Sequence, residues 1–417
     1  MWQFVPLTLF WFAFMGSLGV FFPYFSLYLR ENAGLSGSQI GWVLAMPPLI
    51  GMFAQPFWGQ VADRTGARSR ILVWLSLISS LGYFVLGLGD GFLAILLATA
   101  ALALFSTAII PITTSVSLAI LREAGLHAFG YVRAWGTVGY FIVVVVFPWI
   151  VERYQAAQAL YSAGGSASPA LRVMFPVTAA LVLFSAAVAI FLPRAGAVAI
   201  RASRGDWREL LRNAPYLRLL LFCFAANLLL FGPMWLFPIF VHSRGGDIAT
   251  IRGMWIVMLI FEIPLVLATG SGLKRFGARG LLAAGVLAGG LRWLLCAAVT
   301  DSFWLYAVQA LHGVTVVGLN LGSPLYLDHV APDKLRSTAQ AVLSMVSAGI
   351  AGMISNVAAG WLMQHGGIEL LYWLSGIGCV ALASLVGALL PATGTVKSSA
   401  SEAAVSEVPL AKGGTNF

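Results

Sequence analysis

Charge is what this chain has least of. Asp, Glu, Lys and Arg make up 9% of its 417 residues, whereas soluble domains carry roughly 25%, so it cannot coat itself with a water-facing surface. Cysteine is scarce as well. Cys223, Cys296 and Cys379 each lie in an apolar run, at spacings that suit neither a disulfide framework nor a zinc site. No His, Asp or Cys cluster gathers near a predicted interface, which argues against a polytopic membrane enzyme. No metal-ligand spacing, nucleophile elbow or glycine-rich phosphate cradle is present, and no cofactor is expected. Met1-Trp2-Gln3 offers no basic n-region, so no cleavable signal peptide is expected.

What remains is apolar. The chain is 60% hydrophobic, with a mean hydropathy of +0.90. A bilayer core of about 30 Å takes roughly 20 helical residues to cross. That ruler predicts an all-α integral membrane protein with twelve spans, near 4–29, 38–61, 71–89, 91–121, 132–150, 173–193, 215–241, 249–271, 281–299, 302–330, 337–364 and 370–390. Six spans precede the polar stretch Arg194–Arg218 and six follow it. The expected organisation is an N-terminal lobe over 1–193, a cytoplasmic central loop over 194–214, a C-terminal lobe over 215–390 and a tail over 391–417. The tail is rich in Ser, Ala and Gly and is expected to be disordered. It is also too short for the output domain of a receptor.

The net charge is +9. In a soluble protein that would suggest nucleic acid, but no nucleic-acid partner is expected here. Of the 24 basic residues, 18 fall on the side that carries both predicted termini, five fall on the other, and Arg292 lies within a span. Such a bias predicts that both termini are cytoplasmic, in a multi-pass protein of the cell inner membrane.

Two halves also show in a repeat. Gly59-Gln-Val-Ala-Asp63-Arg64-Thr-Gly66-Ala-Arg68 returns 211 residues later (59 to 270) as Gly270-Ser-Gly-Leu-Lys274-Arg275-Phe-Gly277-Ala-Arg279. In the first copy Gly59, Asp63, Arg64, Gly66 and Arg68 are either a cluster that sets topology or a conformational latch, with a carboxylate poised near a helix end and arginines.

Only 15 residues are acidic, and Glu262 alone lies deep in a span. A carboxylate there is costly unless paired, protonated or facing water. Arg292 and His312 are the anomalies of the next two spans, and at 1.5 Å per residue all three reach similar depths. They form either a proton-coupling cluster or a permanent ion pair of Glu262 with Arg292 that locks the second lobe. In the first lobe, Arg133 beside Trp135 offers a fork and an aromatic wall for solute, or else snorkels to the membrane surface. Tyr24, Tyr28 and Asn227 are candidate cavity residues. Thr113, Thr114, Ser115 and Ser117 make the fourth span locally polar, as helix-to-helix hydrogen bonds would require.

Gly59-x-x-x-Asp63-Arg64-x-Gly66-x-Arg68 and its copy resemble the loop signature of the major facilitator superfamily. Phe22-Pro23-Tyr24-Phe25-x-Leu27-Tyr28-Leu29, Pro47-Pro48, Arg133-Ala-Trp135-Gly136, Glu262, Arg292-Trp293, Gln309-x-x-His312-Gly313 and Ala339-Gln340 are similar to its MFS_1-like, phenylpropionate permease branch. That branch lies near the lactose permeases and nucleoside–proton symporters. The resemblance implies two pseudo-symmetric six-helix lobes, a central cavity, alternating access and proton-coupled uptake. It places Arg133 and Glu262 at sugar-contacting positions and Arg292 and His312 at proton-coupling ones. Two departures stand out: Tyr131 where lactose permeases have a second arginine, and Thr315 where they have a proton-carrying glutamate. Near Thr114 the acid of many phenylpropionate-like members is missing.

The expected function is therefore a monomeric proton-coupled symporter of a small organic solute, driven by the proton gradient, with an aromatic acid such as phenylpropionate preferred. A sugar or nucleoside symporter, a passive facilitator and a proton-driven efflux pump are the alternatives. The expected partners are the solute, protons and the lipid bilayer.

Overall fold

The structure, a computed structural model, describes residues 4–121, 126–161, 170–193, 207–332 and 335–391. Among them it is helical throughout, with no strand. The first spans are α1 (Val5–Glu31), α2 (Gly37–Thr65) and α3 (Arg68–Leu88). The fourth span is broken at Thr107–Ala108 into α4 (Phe92–Ser106) and α5 (Ile109–Ile120). α6 (Leu126–Tyr161) and α7 (Met174–Ala189) follow. α6 runs past the expected limit near 150 because Glu152, Arg153 and Gln155 carry it out into water.

A short helix, α8 (Trp207–Arg212), stands where loop is expected. Beyond it come α9 (Ala214–Ser243), α10 (Ile248–Leu267) and α11 (Thr269–Ala298). The tenth span is the most interrupted, with α12 (Ser302–Val308), α13 (Leu311–Val316), a π turn over Val317–Leu321 and α14 (Gly322–Val330). α15 (Arg336–Ser344), a second π turn over Met345–Ile350, α16 (Ala351–Ser384) and α17 (Val386–Leu389) complete the chain.

Eleven helical segments among the described residues are long and apolar enough to cross a membrane. The last of them, Arg336–Ser384, contains two crossings, because Gly367 at φ 81° turns the chain in the middle of α16. This gives the twelve expected spans and puts both ends of the bundle on one face, called here the terminal face. Most of the central loop, 194–206, and the tail from 392 lie outside the described residues.

Local chemistry fixes the helix ends. Ser36 and Gln39 form a reciprocal capping box at the start of α2, and the Asn213 and Asp247 side chains accept backbone N–H bonds that begin α9 and α10. Such caps satisfy donors that the first helical turn leaves unpaired. The Thr250 N–H holds the Asp247 carboxyl below the usual carboxylate range.

Packing divides the bundle. α1 packs on α6 and α7, and α3 on α4 and α7; α16 packs on α9 and α11, and α13 on α10 and α11. Between the lobes, α2 meets α16, α1 meets α9 and α6 meets α10. The α2–α16 seam, on the face opposite the termini, is made by glycine. A Cβ on Gly360 would lie 2.7 Å from Gly41 Cα, and one on Gly41 would lie 2.6 Å from Asn356 O. Backbones approach this closely only where side chains are absent. Asn356 Nδ2 donates to Leu44 O at 2.8 Å, and Ser38 N–H donates to Gln364 Oε1 at 2.9 Å. On that face Glu31 Oε2 lies 3.8 Å from His242 Nε2 across the lobes, and Arg244 forms an ion pair with Glu369 at 2.9 Å.

Candidate functional site

Between the lobes lies a cavity of about 440 Å³, walled by α1 to α6 and by Trp235 of α9. Phe14, Phe21, Phe22, Tyr83, Tyr140 and Trp235 supply rings, while Thr99, Ser106 and Thr107 supply hydroxyls. Among the described residues no Lys, Arg, Asp or Glu lines it. The break in the fourth span falls at Thr107, on the cavity wall. Phe22 meets Trp235 at 4.2 Å and Trp255 at 5.4 Å, and Trp255 reaches Tyr140 at 6.0 Å and His312 at 6.5 Å. An aromatic bridge therefore joins the cavity to the charged residues of the second lobe.

Those residues do meet. Arg292, 1% exposed, donates through Nε and Nη2 to Gln309 Oε1 at 2.9 and 2.8 Å. Its Nη1 stands 3.1 Å from His312 Nδ1, and His312 Nε2 stands 3.7 Å from Glu262 Oε2. The guanidinium also lies over Trp293 at 4.3 Å and Phe237 at 5.2 Å, with the Met234 and Met258 sulfurs at 3.5 Å. A direct Glu262–Arg292 ion pair, one of the two arrangements expected from sequence, is not what forms. His312 separates them, with one ring nitrogen toward each.

In the first lobe Arg133 stacks over Trp11 at 4.7 Å, and Trp11 is held by an N–H bond to Ser117 at 3.0 Å. Trp135 points the other way. Two residues along a helix is more than half a turn, and Trp135 lines an outer groove of about 560 Å³ with Tyr131, Leu9 and Phe12. Arg133 and Trp135, candidates for a fork and an aromatic wall on one solute, thus stand on different sides of α6, and Arg133 has Trp11 beneath it. Tyr24 packs on Phe147 at 5.2 Å and Tyr28 on Phe175 at 4.7 Å, both buried inside the first lobe and away from the cavity lining. Both are candidate cavity residues by sequence, but the face of α1 that carries them packs on α6 and α7. Asn227 donates to Cys223 O at 2.9 Å within α9. Thr113, Thr114 and Ser117 likewise donate to carbonyls of their own helix.

The loop motif forms a closed turn. Gly66 ends α2 at φ 65°, which lets Arg68 Nη2 reach Asp63 Oδ1 at 2.6 Å. Arg64 is exposed, and nothing lies within 4 Å of where a Gly59 Cβ would sit. In the second copy Gly277 also takes a positive φ, 67°, but its ψ is 171° against 6° at Gly66, so the repeat shares a turning glycine and not one backbone shape. Gly66→Ala is expected to destabilise the protein by about 1 kcal/mol, read as a lower midpoint in a thermal unfolding assay. An unchanged midpoint would mean the turn relaxes freely.

The sequence alone does not single out Tyr140 and Trp235 as wall, Trp255 as bridge or Trp11 as the ring beneath Arg133, and it assigns Gln309 no role. Gln309 was findable in principle: an amide in an apolar span, one helical turn before His312. The four aromatics carry no such mark among the 12% of aromatic residues.

The described architecture has close relatives. A maltose permease of Geobacillus stearothermophilus is 31% identical over 92% of this chain and 93% of its own length. The "Probable 3-phenylpropionic acid transporter" of Escherichia coli strain K12 is 25% identical over 86% of this chain and 91% of its own. The crystal structure of nucleoside transporter NupG superposes with a TM-score of 0.77 at 18% identity, over 93% of this chain and 99% of that one. The family description of the MFS_1-like transporters matches residues 4–374. With its two six-helix lobes and the cavity between them, the chain belongs to the MFS_1-like family of the major facilitator superfamily and is a small-solute transporter rather than an enzyme.

Proposed function

We propose that this transporter couples solute movement to protons by alternating access, and that its solute is a small, neutral, ring-bearing and hydroxylated molecule, a sugar before a nucleoside. The observation that carries the coupling is the contact chain Glu262–His312–Arg292 behind the aromatic bridge. Glu262 is the carboxylate that takes the proton, and Trp255 conveys the presence of solute to His312 by packing. The solute class rests on the cavity wall. Rings stack on sugar and base faces, hydroxyls match hydroxyls, and no cation among the lining residues awaits a carboxylate. The maltose permease likeness points the same way. An aromatic acid, the class preferred from sequence, would need Arg133 to leave Trp11.

The terminal face is cytoplasmic in this reading, in the inner membrane, with the Asp63–Arg68 turn as a latch on that face and the protein acting as a monomer. The test is proton movement in lightly buffered cells given sugars, nucleosides and aromatic acids in turn. Sugar addition is expected to alkalinise the medium, and Glu262→Gln to abolish the alkalinisation. Uptake without pH change, insensitive to Glu262→Gln, would make the protein a facilitator; a response to aromatic acids alone would overturn the solute class.

A further inference from the structure

We propose that Gln309 is a positioning residue which, acting through Arg292, fixes the tautomer of His312 so that its Nε2–H faces Glu262. A guanidinium carries donors only. No carboxylate lies within ion-pair distance of Arg292 among the described residues, so its N–H groups depend on neutral acceptors. Gln309, fully buried, takes two of them on one oxygen, at 2.9 and 2.8 Å.

The amide cannot be turned round. Its Nε2 donates to Leu305 O at 2.8 Å; exchanging the ends would set N–H against N–H at Arg292 and oxygen against oxygen at Leu305. That carbonyl is available because the helix is interrupted. The Gln309 backbone N–H donates to Tyr306 O at 3.0 Å and leaves Leu305 O to the side chain. The break between α12 and α13 is therefore what orients the amide.

With two guanidinium nitrogens held, Nη1 is aimed at His312 Nδ1, 3.1 Å away. Nδ1 must accept, so in the neutral ring the proton is on Nε2, 3.7 Å from Glu262 Oε2. A second proton on the ring would have to displace Nη1. Because Gln309 is an amide, it orients Arg292 without cancelling its charge. The other ionisable groups near the cluster are Cys296 on α11, Tyr372 on α16 and, across the lobes, Arg133 and Tyr140 on α6.

The consequence for transport rests on the proton-coupled reading, but the tautomer does not. The experiment is nitrogen NMR of ¹⁵N-histidine-labelled protein in nanodiscs, with His312→Gln to assign the signal. The expected result is an Nε2–H ring in the wild type and a mixture of tautomers in Gln309→Met, which keeps volume and loses the acceptor. Gln309→Glu retains acceptor oxygens and is expected to keep Nε2–H. Its added negative charge should move the alkaline limb of uptake up by about one pH unit. An Nδ1–H ring in the wild type, or an unaltered tautomer in Gln309→Met, would overturn the inference, and the wild-type measurement decides even where a variant does not fold. An Nε2–H ring lost in Gln309→Met, in a protein that moves no protons, would support the positioning role and overturn the symport reading instead.

Discussion

Gly360→Leu is expected to lower uptake about a hundredfold by keeping the lobes apart on the face opposite the termini. Gly360 of α16 meets Gly37 and Gly41 of α2 with no side chain between the backbones, and even a methyl group there would lie 2.7 Å from Gly41 Cα. Four added carbons cannot be absorbed by a rotamer change, because the obstructing atoms are main chain. Overpacking costs about 3 kcal/mol at the upper end of its ordinary range, and each 1.4 kcal/mol is about a factor of ten in a conformational equilibrium. Only the state in which this seam is shut would be penalised, so the fold survives and the cycle stalls. Leu44 reports on the seam: it is 1% exposed and its carbonyl is bonded by Asn356. A Leu44→Cys reporter should resist a membrane-impermeant maleimide in the parent and react readily when combined with Gly360→Leu. Normal uptake with an unreactive reporter would mean the two helices separate and repack at little cost.

Arg292→Lys is the second large effect expected, again about a hundredfold in kcat/KM for uptake. The charge is conserved but the planar fork is not. A single ammonium cannot bond Gln309 Oε1 along two lines and still reach His312 Nδ1. Loss of two charge-assisted bonds at 1.5–3 kcal/mol each accounts for about 3 kcal/mol. Uptake by proteoliposomes is the measurement, with thermal unfolding in parallel to separate a misplaced imidazole from a weakened lobe. A lysine variant that transports like its parent would show that Arg292 contributes charge alone.

Much of this architecture could be read in the chain itself. Twelve crossings follow from apolar length, and even the pair hidden in one 49-residue helical stretch is marked by Gly366-Gly367. Glu262, Arg292 and His312 could be set at one depth because helical rise is constant and charge in a span is rare. The sequence is silent on direction. Spans apolar all round carry no stripe to say which side faces a cavity, so Tyr24 and Tyr28 of α1 looked like lining residues and are lobe packing. Trp135, two residues from Arg133, was the natural ring for it; the ring it has is Trp11, over 100 residues away in the chain. Nor did any residue pattern foretell that α12 would stop at Val308 and leave Leu305 O to the Gln309 amide.

The unequal lobes have a consequence for change over generations. The cavity's rings and hydroxyls belong almost wholly to the first six spans, while Glu262, Arg292, Gln309 and His312 all belong to the last six. A substitution at Ser106 or Tyr83 alters what fits the cavity and leaves the second lobe's contacts whole. New specificity can thus be explored one residue at a time in one half of the gene without disturbing the contacts held in the other.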